Sequence, residues 1–264
     1  FQYLYYYYNF HKNSSNYNHS NPSDQNALNI FKEEWSSKFP ETFKLSTSGE
    51  ADLFEDQRIL WAEEHGIVIR NKEVLELGPL EAGHTWMMDQ RGTRSIIAVE
   101  AHERAYLKSL IIKEITQIKS ARFLHGDFEL YLKTISKNFD ICLASGVLYH
   151  SNNPVELLHN ICKRCNQLIL WTHYYDEKVM KAKDSSFSDR FNQTETFNYQ
   201  GESINLHPFQ YKNEAATNAF CGGLNNNSIW LERKGIETIL EKNNFQITAI
   251  GFDHPNHPKG PAFA

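Results

Sequence analysis

Hydrophobic and polar positions divide the chain into three stretches of different rhythm. From residue 27 to 65 the apolar positions recur at helical spacing. Leu28, Phe31, Trp35 and Phe39 predict a helix over 27–39, closed by Pro40. Leu53, Phe54, Ile59 and Leu60 predict a second over 52–65, stopped by Gly66. Short apolar runs then alternate with helical patterns. Strands are expected at 74–77, 95–100, 121–125, 139–144 and 167–173, and helices at 103–119 and 154–163. Strands that alternate with helices imply a parallel sheet covered on both faces, an α/β Rossmann-like fold. After Tyr175 the rhythm stops. Residues 176–227 are polar, rich in Asn, Gln, Ser, Phe and Tyr, and read as an irregular insert that caps a binding site. A helix over 229–243 and a strand over 245–252 resume the core pattern, and the last residues read as the start of a strand cut short.

Residues 1–25 are rich in Tyr, Asn and Ser without either period, and read as a loosely packed leader ahead of a domain spanning 26–264. The opening is aromatic, without a basic start, so it does not read as a signal peptide; lacking Met, the chain reads as a fragment or a processed product. No run of about 18 apolar residues is present for a membrane span. The net charge of −5 argues against nucleic acid as partner. Cys162 and Cys165 form a lone CxxC in 153–165, a stretch that reads as helical, so i and i+3 simply share a face; zinc would need a second pair, and Cys142 falls in a predicted strand. The expected location is cytoplasmic.

The chemistry concentrates where strands end. The first strand runs into Glu76-Leu77-Gly78-Pro79-Leu80-Glu81-Ala82-Gly83-His84. Gly78 permits a sharp turn with a ligand against the backbone. Glu76 stands at the carboxyl edge, where open α/β sheets bind ligands. Glu100 closes the second strand, where such folds hold ribose hydroxyls, and Asp127 with Phe128 follows the third. Asp127 can accept from an adenine amino group while Phe128 packs on the ring. The G-x-G-x-x-G fingerprint of a dinucleotide-binding dehydrogenase is missing.

This order of acids resembles class I S-adenosylmethionine-dependent methyltransferases, whose E/D-x-G-x-G-x-G loop matches here at Glu76, Gly78 and Gly83. The middle glycine is absent, with Leu80 nearby, and Gly83 sits one residue late. Residues 145–150, Ser-Gly-Val-Leu-Tyr-His, are similar to a methyltransferase subgroup that includes enzymes modifying the tRNA wobble uridine. The resemblance covers about residues 50–175 and returns at Gly222-Gly223 and Ser228-Ile229-Trp230-Leu231. It implies S-adenosylmethionine as cofactor, held by Glu76, Gly78, Pro79, Gly83, His84, Glu100, Asp127, Phe128, Ser145 and Val147. Tyr149 and His150 would then lie beside the transferred methyl group, with His150 a candidate base and His173 a further catalytic candidate. Tyr174, Tyr199, Tyr211, Ser228 and Trp230 are expected to bind the substrate, with His207 and Phe220 adding aromatic surface. No acid follows Ala144 to hold magnesium, so no metal is expected. The leading expectation is methylation of a small molecule or a sugar hydroxyl. A tRNA-modifying enzyme and a non-catalytic cofactor-binding interaction protein are the alternatives.

Overall fold

The computed structural model describes residues 17–183, 185–211 and 226–264, with only the backbone at 185 and 186. At its centre lie β1 (Glu73–Leu77), β2 (Ser95–Glu100), β3 (Ala121–His125), β4 (Phe139–Ser145) and β5 (Cys165–His173), with β9 (Ala262–Phe263) at one edge. The order is β3-β2-β1-β4-β5-β9; the first five are parallel, and β9 runs antiparallel to Thr172 and His173. Side chains alternate between two cores. Val74, Ile141 and Leu143 enter one, and Leu75, Cys142 and Ala144 enter the other. Both faces are therefore apolar, and the central strands read as nearly continuous hydrophobic runs. Each fully buried aliphatic side chain contributes about 1.5–3 kcal/mol.

The N-terminal helices are shorter than their spacing predicts. Helix α1 covers only Asp24–Asn29, capped by the Ser23 hydroxyl, and Glu33 takes a left-handed φ of 70° that ends any continuation. Leu28, Phe31, Trp35 and Phe39 are nevertheless all buried, because the chain folds back and the Trp35 indole donates to Leu28 O at 2.9 Å. Helix α2 covers Gln57–Glu64, since Asp56 caps the Arg58 amide and fixes the start. Helix α3 (Gly83–Gln90) follows β1, and α4 (Glu103–Thr116) ends on Gln117 with φ 57°. Helices α5 (Phe128–Thr134) and α6 (Pro154–Cys162) cover the other face. Cys162 ends α6 and Cys165 opens β5, so the CxxC pair is divided between two elements. Burial pushes the Cys162 thiol up to about 12, and raises that of Cys142 as well.

The insert has more order than its composition suggests. It begins with helix α7 (Glu177–Ala182), and β6 (Glu195–Tyr199), β7 (Glu202–Gln210) and β8 (Asn227–Leu231) form an antiparallel sheet. Ile229, expected in a helix, lies in β8; the helix that follows, α8, runs Arg233–Lys242. Along β7 only Ile204, His207 and Phe209 are buried, an interrupted alternation that hides the strand signal. The expected strand over 245–252 does not form. Its one ladder-like contact is Gly251, which exchanges backbone hydrogen bonds with Ala264 at 3.0 and 2.9 Å.

Candidate active site

Strands β1 and β4 are neighbours whose connections leave in opposite directions, which opens a crevice at their carboxyl ends. Gly78 marks the floor of that crevice. Its φ is 63°, and a Cβ there would lie 2.7 Å from Val147 Cγ1, so the turn after β1 touches the turn after β4. The loop continues through Leu80 and Ala82, both left-handed at φ 54° and 61°. Here two residues with side chains carry the conformations that glycine usually supplies. Gly83 has a different duty from the one its motif suggests: a Cβ would lie 2.6 Å from Leu53 O, so it lets α3 start against residue 53.

The three expected acids stand at the ends of three adjacent strands. Glu76 is only 1% exposed. Its Oε2 accepts from the Thr85 hydroxyl at 2.5 Å, and its Oε1 has no partner among the described residues. Desolvation pushes the carboxyl up to about 8, with the charge of Glu100 adding to the rise. Glu100 accepts from the His102 amide at 2.8 Å and the Leu80 amide at 3.0 Å, so it also fixes the glycine loop; burial raises its pKa. Asp127 caps α5, its Oδ1 accepting from the amides of Glu129 at 2.7 Å and Leu130 at 3.3 Å. Phe128 packs at the border of the core beside it.

Sequence reasoning missed a polar chain along the rim. Asp56 Oδ2 meets His84 Nε2 at 2.7 Å and pairs with the Arg58 guanidinium, whose centre lies 4.6 Å over the Trp171 ring. Burial acts to raise Asp56, but hydrogen bonds from His84 and Arg58 outweigh it and hold the carboxyl well below the usual range. This chain runs from the start of α3 to the end of β5. No local motif announces it, because Asp56 reads only as a helix cap. A second missed group, Glu81, is fully buried; it pairs with Lys108 Nζ at 2.5 Å and accepts from the amides of Ser36 and Ser37.

An aromatic cluster stands beyond β4 and β5. Tyr149 and His150 lie in a helical turn, Leu148–His150, tied to β8 by the Ile229 amide on Ser151 O at 2.9 Å. The Tyr149 ring meets His173 at 4.6 Å and Trp230 at 5.7 Å, both edge-on, and His173 stacks on Trp230 at 5.4 Å. His150 Nδ1 and the Tyr211 hydroxyl are 2.5 Å apart. His173 Nδ1 donates to Gly260 O at 2.9 Å and Pro261 O at 3.2 Å. Since both partners are carbonyls, Nδ1 carries the proton and Nε2 is the bare nitrogen. Burial pulls the ring down to about 4, so it is neutral at physiological pH.

Tyr149, His150, His173, Tyr211 and Trp230 therefore converge, with Ser228 two residues before Trp230 on the same face of β8, whereas two expected substrate residues do not. Tyr174 follows His173 on the strand and points to the other face, against Phe263 at 5.6 Å. Tyr199 lies between α6 and α8, its hydroxyl 2.8 Å from His159 Nδ1 and 2.8 Å from Asn243 Nδ2. His207, within the insert sheet, stacks on Tyr175 at 3.6 Å. Phe220, Gly222 and Gly223 fall outside the described residues. Among the described residues no group of three or more His, Cys, Asp or Glu could hold a metal ion, and no helix is long and apolar enough to cross a membrane.

No family model and no curated protein sequence matches the chain. Solved structures do. The N-terminal domain of EvdMO1 with S-adenosylhomocysteine bound is 20% identical, over 91% of this chain and 92% of that one, with a TM-score of 0.65. The same domain in the presence of S-adenosylhomocysteine and D-fucose is 21% identical over the same shares, with a TM-score of 0.63. An S-adenosylmethionine-dependent methyltransferase of Listeria monocytogenes is 12% identical, over 78% of this chain and 94% of that one, with a TM-score of 0.52. The chain has the Rossmann-like fold of these methyltransferases.

Proposed function

On this fold, we propose that the protein is an S-adenosylmethionine-dependent methyltransferase acting on a hydroxyl of a small molecule or sugar. The observation that carries the reading is the set of Glu76, Glu100 and Asp127 at the ends of three adjacent strands around Gly78. The unpartnered Glu76 Oε1 and the bare Cα of Gly78 suit a ligand with hydrogen-bonding groups lying close against the backbone. Glu100 takes the ribose hydroxyls, Asp127 the adenine amino group, and Phe128 packs on the ring. Gly78, Pro79, His84, Ser145 and Val147 shape the floor, while Gly83 seats α3 against residue 53. Arg58, paired with Asp56 over the Trp171 ring, offers a cation for the cofactor's carboxylate.

When bound, the cofactor supplies an electrophilic methyl group on a sulfonium. What the chain contributes is positioning, water exclusion and a proton acceptor. Tyr149, His150 and His173 border that region, and Tyr211, Ser228 and Trp230 line its far side. The D-fucose present with a similar structure and the aromatic lining support a sugar acceptor. The Ser-Gly-Val-Leu-Tyr-His segment supports tRNA as a second reading, which the net charge of −5 opposes.

Calorimetric titration with S-adenosylmethionine and S-adenosylhomocysteine tests the reading. Wild type should bind with a Kd in the ~micromolar range, and Glu100→Ala and Asp127→Ala should each weaken binding about tenfold or more. Because Asp127 also caps α5 through Oδ1, Asp127→Asn should keep the cap but set an amide N–H against the adenine amino group, and so weaken binding with the fold intact. Absence of binding to the wild type overturns the proposal. Binding without turnover on sugars or bulk tRNA would point to an interaction protein.

A further inference from the structure

Two polar groups in the aromatic cluster are buried without a partner. Ser228 is 0% exposed and Trp230 3%, and neither Ser228 Oγ nor Trp230 Nε1 has a hydrogen bond among the described residues. Such groups are rare, because leaving one unpaired costs about 1–3 kcal/mol. They stand two residues apart on β8, so they share a face, roughly 7 Å along the strand. Trp230 meets His173 and Tyr149. Ser228 pairs in register with Phe209, two residues before Tyr211, which reaches His150. The orphan pair therefore lies on one face of β8, with Trp230 at its His173 end. A single water could serve one of these groups, but a ring carrying several hydroxyls could serve both, with its apolar face on the aromatic side chains.

Resting on the methyltransferase reading, we infer that Ser228 Oγ and the Trp230 indole N–H hold neighbouring oxygens of a polyhydroxylated sugar ring, and that His173 Nε2 removes the proton of the hydroxyl that is methylated. His173 suits the role better than His150. Its tautomer is fixed by two carbonyls, leaving Nε2 without a hydrogen bond among the described residues. As the acceptor oxygen bonds to the methyl carbon, the carbon–sulfur bond breaks, the pair stays on sulfur, and the hydroxyl proton passes to Nε2. The products are a methyl ether, S-adenosylhomocysteine and an imidazolium that returns its proton to water.

The test uses the whole protein saturated with S-adenosylhomocysteine, titrated with a panel of methyl glycosides that includes methyl fucoside, up to ~50 mM, with tryptophan fluorescence and calorimetry as readouts. At least one glycoside should bind saturably. Trp230→Phe, which keeps the ring and removes the N–H, and Ser228→Ala should each weaken that binding about tenfold. His173→Asn places an amide N–H where Nδ1 stood and can still donate to Gly260 O, so it should bind cofactor and sugar within about twofold of wild type while losing turnover on that sugar by about a hundredfold or more. The acid limb of kcat/KM in the wild type should lie near pH 4, well below an ordinary histidine. Intact cofactor binding with no sugar uptake, sugar binding indifferent to both β8 variants, or turnover surviving His173→Asn would each overturn the subsite. Failure to bind S-adenosylhomocysteine would overturn the methyltransferase reading and this subsite with it.

Discussion

At Gly78 two separate demands fall on one atom. The turn needs φ 63°, and the space where a side chain would begin is taken by Val147 Cγ1 at 2.7 Å. Gly78→Ala should therefore destabilise the fold by about 1–3 kcal/mol and also weaken cofactor affinity, as urea unfolding and calorimetry would show. Glu76, just before it, makes a prediction of opposite sign. Its folded pKa of about 8 exceeds the ordinary 4.5 of a glutamate, so the neutral form is favoured. The stability it contributes is fully present below pH 4.5 and is lost as pH rises through 8. Without cofactor, Glu76→Gln should be several kcal/mol more stable than wild type at pH 9 and nearly equal at pH 4; a pH-independent difference would refute this account. Strand alternation explains why single residues were only partly legible. His173 and Tyr174 look equally suited to a substrate pocket, yet adjacent strand residues face opposite sides, and only the packing of β5 settles which faces the cluster.

Among the elements, the pairing of α4 with the glycine loop and the N-terminal segment is the most consequential contact that spacing does not reveal. Lys108 on α4 reaches Glu81 in the loop and also Glu34 O at 2.8 Å, while Glu81 holds the amides of Ser36 and Ser37. One buried ion pair thus ties three stretches together. Removing one partner leaves an uncompensated charge, so Lys108→Met should cost about 3–5 kcal/mol in chemical denaturation. Adding Glu81→Gln should recover part of that loss, and if the double variant were no more stable than the single, the brace would not be electrostatic. Elements whose ends coincide with caps or breakers, such as β2 and β3, were legible to the residue. Helix 27–39 was not, because its apolar spacing is satisfied by a folded-back chain that buries the same four side chains.

For the whole molecule, stability should decline on the acid side as well. His173 has a folded pKa of about 4, below the ordinary 6.5, lowered by burial and by the neighbouring His257 and Lys259. Tyr149, Trp171 and Trp230 close the remaining sides with rings rather than charges. The stability it contributes is present above pH 6.5 and is lost as pH falls through 4. Asp56, held low, acts in the same direction at lower pH. Thermal melts across pH should therefore fall from about 6.5 downward, and His173→Gln should flatten the part between 6.5 and 4.

The parallel sheet, its five strands and the acids at three of their ends were written in the sequence, because periodicity, capping and turn chemistry act over a few residues and leave a local pattern. The rim chain from His84 through Asp56 to Arg58, the buried Glu81–Lys108 pair, the third sheet strand at Asn227–Leu231 and the unpartnered Ser228 and Trp230 were not. Each depends on which distant segments meet, on which side of a strand faces the crevice, and on whether a buried polar atom finds a partner. Those are properties of long-range packing, which tertiary structure alone decides.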